Sequence, residues 1–353
     1  MSWRRLFMTG FALLVAAISL VGMSHIAAAA PQATFGPPKE GTKVVLGDTS
    51  IDGPAIVTTN DAPATAIAWT GTDSAHHLNL MTSNDGLHYS NKHVLPETSL
   101  WRPALAFIDS ARVGPYGTIV LAWTGTDTNH TLNVELIRMP DFTVISKTIL
   151  WGETSFTAPA VATINGDVNS DIYLSWAGTD RAHTVNVMHL MTQSSSRDKH
   201  ILWGWSSISR PNISRDHASD NKGPLILSWT GVNNRIYFAY ASEDRSHWTM
   251  PSSSPLSQTT AWAPGMSGYF TDAMPTHWLA WTGTGTTSTH QLYVRYTQHY
   301  LSWSDANATA ALPDYAISSP ALAYNSTGSA HQLLIAWTGT DSLHHLNVAV
   351  VTV

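Results

Sequence analysis

A segment built around tryptophan recurs six times along the chain. Its clearest copies occupy residues 69–80 and 337–348, and both read Trp-Thr-Gly-Thr-Asp followed by histidine, leucine and asparagine. The tryptophans that open the six copies lie 52 to 56 residues apart and are Trp69, Trp123, Trp176, Trp229, Trp281 and Trp337. A fixed period of this size predicts a repeat fold in which each repeat is one supersecondary unit.

Each repeat contains four short segments with the composition of β-strands. The first follows a proline such as Pro54, which the first residue of a strand tolerates because no ladder hydrogen bond is needed there. The second, as in residues 120–123, is apolar on both faces and ends in the repeat tryptophan, which predicts a strand between neighbouring sheets. The third is the Leu-Asn-Val group, and the fourth has a Lys-x-x-Leu pattern, as in residues 92–95. The sequence therefore predicts an all-β fold, a six-bladed β-propeller of four-stranded antiparallel blades.

The two ends of the chain complement each other. Residues 42–50 match the fourth segment of residues 91–99 but precede the first repeat, whereas the last repeat stops after its third segment. We expect the N-terminal strand, at about residues 43–50, to join the last blade, because closing the ring removes exposed sheet edges.

The N-terminus has the pattern of a secretory signal. Arg4 and Arg5 precede an apolar run at residues 11–21, and small residues at 27–30 precede Pro31. We expect a signal peptide at residues 1–30, a linker rich in Pro, Gly and Ala at 31–42, and the propeller at 43–353. The protein is then secreted or displayed at the cell surface, and it contacts a membrane only if the apolar segment stays uncleaved.

Composition excludes several function classes. Charged residues make up 12% of the chain, the formal net charge is −6, and no basic block stands out, which argues against nucleic acid as a partner. Nucleophile-elbow, phosphate-loop and metalloprotease motifs are missing, so we predict no cofactor and assign no catalytic residue. Because the chain has no cysteine and few Asp/His groups in any one blade, we predict no metal site.

Pairs of Asp and His three residues apart follow four of the repeat tryptophans. An Asp in such a turn can accept backbone N–H groups and shape the loop, and a nearby His can donate to its carboxylate. The alternative is that these groups contact a ligand. The four pairs are Asp73/His76, Asp127/His130, Asp180/His183 and Asp341/His344.

Further aromatic residues precede the proline strands, and they are candidate ligand platforms because an indole face matches the apolar face of a sugar ring. Arg102 and Arg210 lie beside two of them and could donate to hydroxyls or carboxylates. In a propeller these links share one rim with the Asp/His turns. The six repeat tryptophans, by contrast, end apolar strands, so we interpret them as packing between blades, with sugar stacking as the alternative. The candidate platforms are Trp101, Trp151, Trp203, Trp205, Trp262 and Trp303.

Two patterns resemble known families. Residues 83–89, Ser-Asn-Asp-Gly-Leu-His-Tyr, resemble the Asp-box turn of sialidase-like propellers, and residues 242–248 look like a degraded copy. This resemblance implies a turn between third and fourth strands, away from the active face. Over residues 43–353 the repeats are nearly identical to one another, and in this they resemble the blades of propeller lectins of the fucose-binding type. A sialidase would imply three arginines gripping a carboxylate, a tyrosine activated by a glutamate, and an acid/base aspartate; residues 101–103 loosely resemble the segment that bears its first arginine.

The leading hypothesis is an exported, lectin-like β-propeller with up to six shallow glycan sites between blades, because near-equal blades make near-equal sites and repetition supplies avidity. The first alternative is a sialidase-like glycoside hydrolase. The second is a protein-interaction platform.

Overall fold

The computed structural model describes residues 37–59, 64–109, 117–165, 170–191, 197–215, 224–271, 274–284, 290–297, 303, 309–325 and 332–352. The predicted signal peptide and residues 31–36 of the predicted linker lie outside this part of the chain. The described residues form 24 strands in six four-stranded antiparallel sheets. Within these ranges no helix long and apolar enough to cross a membrane is found.

Each sheet is one blade, and its strands are ordered from the axis outwards. Blade 1 contains β2 (Ala55–Thr58), β3 (Thr65–Thr70), β4 (His77–Ser83) and β5 (Ser90–Thr98). Blade 2 contains β6 (Ala104–Ile108), β7 (Thr118–Thr124), β8 (Thr131–Arg138) and β9 (Thr143–Thr154). Blade 3 contains β10 (Ala160–Asn165), β11 (Ser170–Ala177), β12 (Thr184–Met191) and β13 (Arg197–Ser206).

Blade 4 contains β14 (Asn212–Arg215), β15 (Leu225–Thr230), β16 (Ile236–Ala241) and β17 (Trp248–Thr249). Blade 5 contains β18 (Gly265–Thr271), β19 (Met274–Thr282), β20 (Gln291–Thr297) and β21 (Thr309–Tyr315). Blade 6 contains β22 (Ala321–Asn325), β23 (Gln332–Thr338), β24 (His345–Thr352) and, as its outer strand, β1 (Lys39–Thr49). The first strands of the blades contact one another in sequence around the ring, and β2 contacts β22. The predicted six-bladed propeller is confirmed.

The N-terminal strand closes the ring as predicted. β1 pairs antiparallel with β24, with Val44 opposite Val348 and Val45 opposite Asn347. The strand begins at Lys39, four residues before the predicted boundary at 43, because Lys39 also pairs with Thr352. The last blade thereby gains the fourth strand that its own repeat lacks.

The repeat tryptophans form the packing between blades. All six are 1–2% exposed, and every residue of β7 and β15 is buried, since these strands are sandwiched between neighbouring sheets. In four blades a lysine of the outer strand lies 5.1 to 5.4 Å from the centroid of the tryptophan ring, a cation–π contact. In blades 4 and 5 a tyrosine stacks there instead: Tyr237 on Trp229 and Tyr293 on Trp281. The interpretation of these six residues as core is confirmed.

Ion pairs join the outer strands of successive blades. The lysine over each tryptophan also contacts an acidic residue of the blade before it, which ties neighbouring blades at their outer edge. The four pairs are Lys43–Asp314, Lys92–Asp48, Lys147–Glu97 and Lys199–Glu153.

Blade 4 departs from the pattern at its outer edge, where β17 has only two residues. Two prolines, Pro251 and Pro255, interrupt the chain after it and lack the N–H that a ladder needs. The Ser254 hydroxyl takes over part of the ladder by accepting the Phe238 N–H at 3.1 Å.

Candidate functional site

One face of the ring brings together the turns between second and third strands and the links between blades. The antiparallel order of the blades places both sets of loops at the same end of the strands. We call this end the turn face and define it by turn residues 71–76, 125–130, 178–183, 231–234, 283–290 and 339–344 and link residues 50–54, 99–103, 155–159, 207–211, 260–264 and 316–320, as far as they are described.

Ring contacts between a link and the following turn confirm the predicted shared rim for Trp101 and Trp262, whereas Trp303 lies between β20 and β21, at the opposite end of the blade, and its predicted place on the rim is wrong. The ring centroids of Trp101 and His130 are 5.0 Å apart, and those of Trp262 and His290 are 4.9 Å apart. Phe156 stacks on His183 at 3.8 Å. Sequence reasoning overlooked Phe156 because it searched the links for tryptophan.

The aspartate of each turn is held by an internal network. In blade 2 the Asp127 carboxylate accepts the Asn129 N–H at 3.0 Å and the Thr131 hydroxyl at 3.0 Å. Partial desolvation of the carboxyl opposes ionisation, but these bonds lower the pKa of Asp127 below its usual range. The network shapes the turn, and it leaves the carboxylate exposed at the rim.

The predicted Asp-to-His bond at a spacing of three is wrong. In blades 1 and 6 the partner is the histidine four residues on, with Nδ1 of His77 at 2.8 Å from Asp73 and that of His345 at 2.8 Å from Asp341. In blade 3 Asp180 accepts the Thr184 hydroxyl at 3.0 Å, as Asp127 does in blade 2.

The histidine three residues after the aspartate has a different structural role. These residues adopt positive φ between 49° and 59° at His76, His130, His183 and His344. The turn needs a left-handed residue there, a conformation in which His is found more often than most side chains. The ring of His130 or His183 then packs on the aromatic residue of the neighbouring link instead of on the aspartate.

The candidate tryptophans fall into two groups. Trp101 and Trp262 are half-buried on the turn histidines, Trp205 stacks on Trp229 at 5.1 Å, and Trp303 is 2% exposed. By contrast, Trp151 is 74% and Trp203 is 77% exposed. All other tryptophans of the described chain are buried or half-buried.

A bulge at the end of the outer strand presents each exposed ring. Trp151 lies between the pairs Thr131–Thr154 and Asn133–Ile149, where β9 carries additional residues. Gly152 follows with φ of 86°, and Gly204 follows Trp203 with φ of 85°. Only glycine adopts this conformation without strain, so the Trp-Gly pair turns the chain and leaves the indole outside.

This bulge is one residue longer in blades 2 and 3 than in the other regular blades. The leucine of the outer strand precedes the serine that begins the link by five residues at 150–155 and 202–207, but by four at 46–50 and 95–99. The extra residue is visible in the sequence and separates Trp151 and Trp203 from the remaining candidates. Only blades 2 and 3 therefore combine an exposed indole with an intact Asp turn in the described chain.

Polar groups lie in the same bulge as Trp151. The bulge that carries Trp151 ends at Thr154. The hydroxyl oxygen of Thr154 lies 2.7 Å from the hydroxyl oxygen of Thr179 in the turn of blade 3. Glu153 in the same bulge accepts a hydrogen bond from Lys199 at 2.6 Å. An apolar ring beside hydroxyls and carboxylates can stack on one face of a polyol and hydrogen-bond its edge.

The two candidate arginines are not at the rim, contrary to expectation. Arg102 is 2% and Arg210 is 6% exposed. The Arg102 guanidinium donates to the carbonyls of Ser319 at 3.0 Å, Pro320 at 3.2 Å and Pro54, and so ties the links of blades 6 and 1 at the axis. Burial lowers the pKa of Arg102 to about 10, opposed by the charge of Asp52.

An axial site of the sialidase kind needs three converging arginines. Among the described links, the position before the proline holds arginine twice, at Arg102 and Arg210, and is otherwise Gly53, Ala158, Ala263 or Ser319. The described residues also contain no cluster of three or more His, Asp or Glu that could hold a metal.

The opposite face carries the turn at residues 83–89, between β4 and β5. The Asp85 carboxylate accepts the N–H groups of Leu87 at 2.9 Å and His88 at 2.8 Å, and it also accepts the Ser83 hydroxyl at 2.8 Å. A polar cleft of about 510 Å³ lies between this turn and Pro140 of blade 2. Because the Asp85 carboxylate is already hydrogen-bonded within the turn, we do not choose this cleft as the candidate ligand site.

The fold is similar to known propeller structures, although no protein-family profile and no curated protein matches the chain. A mutant of AofleA from Arthrobotrys oligospora has a TM-score of 0.62 at 8% identity, covering 88% of this chain and 85% of that one. The fucose-specific lectin of Aleuria aurantia has a TM-score of 0.58 at 10% identity, covering 88% and 98%. The sialidase of Trypanosoma rangeli has a TM-score of 0.54 at 11% identity, covering 88% of this chain and 58% of that one. The chain is a six-bladed propeller that resembles sialidase-like and fucose-lectin propellers, and at these identities the likeness concerns the fold alone.

Proposed function

We propose that this protein is a carbohydrate-binding, lectin-like propeller whose sites lie at the outer-strand bulges of blades 2 and 3, beside the turn face. The observation that carries the proposal is the exposure of Trp151 and Trp203 at equivalent bulges. An indole left in water forgoes on the order of 2 kcal/mol of apolar burial, which a sugar face stacked on it would recover.

The surroundings of these rings suit a polyol. Hydroxyls of Thr154 and Thr179 and the exposed carboxylate of Asp180 lie along the same seam between blades 2 and 3. A shallow aromatic platform with a polar edge binds a sugar weakly, and two platforms on adjacent blades raise the avidity of a branched or surface-displayed glycan. The proposal thus narrows the six sites expected from the sequence to two.

Export is part of the same proposal. Residues 1–30 have the charge, apolar run and small-residue end of a secretory signal, and an exported protein meets extracellular or cell-surface glycans. The propeller fold shared with a fucose-specific lectin is compatible with this function but does not identify the sugar.

A glycan array probed with the chain from residue 31 onwards tests the proposal. We expect bound glycans, and we expect the Trp151→Ala variant to lose about tenfold in affinity for them, equivalent to about 1.4 kcal/mol. The matched control is Ile145→Ala, which removes another exposed apolar side chain from the same strand, 52% exposed but far from the bulge. An array without any bound glycan, or equal losses in both variants, rejects the proposal.

Incubation of the same preparation with a fluorogenic sialoside tests the hydrolase alternative. Carbohydrate binding without turnover supports the lectin hypothesis. Release of the fluorophore supports the hydrolase hypothesis instead.

A further inference from the structure

Two buried arginines at the axis of the turn face are not used by the proposed carbohydrate site. Arg102 and Arg210 occupy the residue before the proline in the links into blades 2 and 4. Arg102 reaches across to the links of blades 6 and 1. Arg210 interacts electrostatically with Arg102 and with Asp52, and all three residues belong to links of the turn face.

The positive charge there is not neutralised. Asp52 is the carboxylate that interacts with both arginines, but its Oδ1 accepts the Gly53 N–H at 2.6 Å and its Oδ2 accepts the Arg102 N–H at 3.0 Å. Both acceptors are therefore engaged by backbone donors. Two guanidinium groups and one carboxylate leave one net positive charge in a buried setting, which is unfavourable unless an anion compensates it.

Buried donors without an acceptor collect at the same end. Nε of Arg102, Nε of Arg210, and Oγ of Ser209 and Ser318 are inaccessible to solvent and have no hydrogen-bond partner. A Cβ added to Gly53 would lie 2.1 Å from the Ser319 carbonyl oxygen, 3.1 Å from Arg102 Nη1 and 3.2 Å from Ser318 Oγ, so the guanidinium of Arg102 and the hydroxyl of Ser318 meet in one tightly packed cluster beside the glycine. Buried polar groups in native proteins are almost always paired, so four unpaired groups in three links of the same face need an explanation.

Arg210 is the clearest of the four. Its side chain is 94% buried, since it is 6% exposed, and it makes no hydrogen bond to the described residues. Burial and the neighbouring Arg102 charge hold the pKa of Arg210 well below its usual range. A buried guanidinium with free donors is the geometry that proteins use to hold an oxyanion.

We propose that the axial end of the turn face binds a small oxyanion between Arg102, Arg210 and the Ser209 and Ser318 hydroxyls. The anion supplies the acceptors that these donors lack and compensates the buried positive charge. By holding Arg102 and Arg210 together it also joins the links into blades 2 and 4. This site is independent of the carbohydrate platforms on the rim.

Thermal unfolding of the intact protein in phosphate tests the site. Inorganic phosphate is titrated against chloride at constant ionic strength, and sulfate and acetate serve as separate arms that distinguish a tetrahedral oxyanion from a carboxylate. We expect a saturable rise in melting temperature of about 2–5 °C with phosphate or acetate that chloride does not produce. Arg210→Gln should remove the rise while being no less stable than the wild type in chloride, because it removes an uncompensated buried charge.

Arg181→Gln is the matched control, since Arg181 is an exposed arginine in a turn of the same face, and it should keep the full phosphate effect. Ser318→Ala should weaken the effect at least threefold in apparent affinity without a change of charge, which keeps the test valid if Arg210→Gln does not fold. The proposal is overturned if no oxyanion stabilises the wild type more than chloride, or if Arg210→Gln or Ser318→Ala retains the wild-type response.

Discussion

Replacement of Glu135 by glutamine is predicted to stabilise the protein at pH 8 but not at pH 5. Glu135 lies in β8, 2% exposed, opposite Lys147 in β9 and beside Glu97 of blade 1. Lys147 donates to Oε1 of Glu97 at 2.8 Å, while Oε2 of Glu97 and Oε2 of Glu135 are both buried without a donor. The two carboxyl groups can satisfy each other only if one of them is protonated.

The magnitude follows from the raised pKa. Burial and the negative charge of Glu97, opposed by Lys147, raise the pKa of Glu135 from 4.5 to about 7. Because the folded state holds this proton more tightly than the unfolded chain does, stability falls as pH rises from about 4.5 to about 7 and stays lower above it. The loss amounts to as much as about 3 kcal/mol, since one pKa unit is worth about 1.4 kcal/mol.

Urea unfolding at pH 5 and pH 8 measures the effect. The difference in unfolding free energy between Glu135→Gln and wild type should grow by about 2–3 kcal/mol between the two pH values, because glutamine donates to Glu97 at any pH. Glu153→Gln is the matched control, because Glu153 pairs with Lys199 as Glu97 pairs with Lys147. In blade 3, however, the residue opposite the lysine is Met188 and not a second glutamate. If the difference in unfolding free energy between Glu135→Gln and wild type is the same at pH 5 and pH 8, Glu135 and Glu97 do not share a proton.

Two further predictions concern the turns and the axis. Gly125→Ala should cost about 1–3 kcal/mol in urea unfolding, because its Cβ would lie 2.8 Å from an oxygen of Asp127, whereas Gly47→Ala, with nothing within 4 Å, should be near neutral; equal effects contradict the packing argument. Arg102→Met should cost about 3–5 kcal/mol by leaving three link carbonyls without their donor, while Arg181→Met at the surface should change stability by less than about 0.5 kcal/mol; a mild effect at Arg102 would show that the links do not depend on it.

The ring could be predicted from the sequence because its signals are periodic. Six apolar runs ending in tryptophan require burial on both faces, and an unpaired fourth-strand pattern at residues 42–50 requires a partner. Both signals can be recognised in short stretches of the sequence, and a closed propeller satisfies both of them. The strand boundary at Lys39 was missed because Lys39 and Glu40 pair with β24 through their backbone and carry no side-chain pattern that marks a strand.

The candidate site could be predicted only in part. Its location on one rim follows from strand order, but the exposure of Trp151 and the stacking of the half-buried Trp205 on Trp229 depend on a bulge. Arg102 sits beside Trp101 in sequence, yet it points to the axis and binds a link that is more than 200 residues away. Such contacts depend on the whole ring, which no local pattern encodes.

The most direct test of the proposed function is a two-dimensional proton–nitrogen NMR spectrum of the indole groups during titration with the best glycan from the array. The exposed indoles assigned to Trp151 and Trp203 are predicted to shift with saturation, while the six buried repeat tryptophans stay unchanged. Shifts confined to other tryptophans, or saturated binding that leaves both exposed indoles unchanged, would contradict the account.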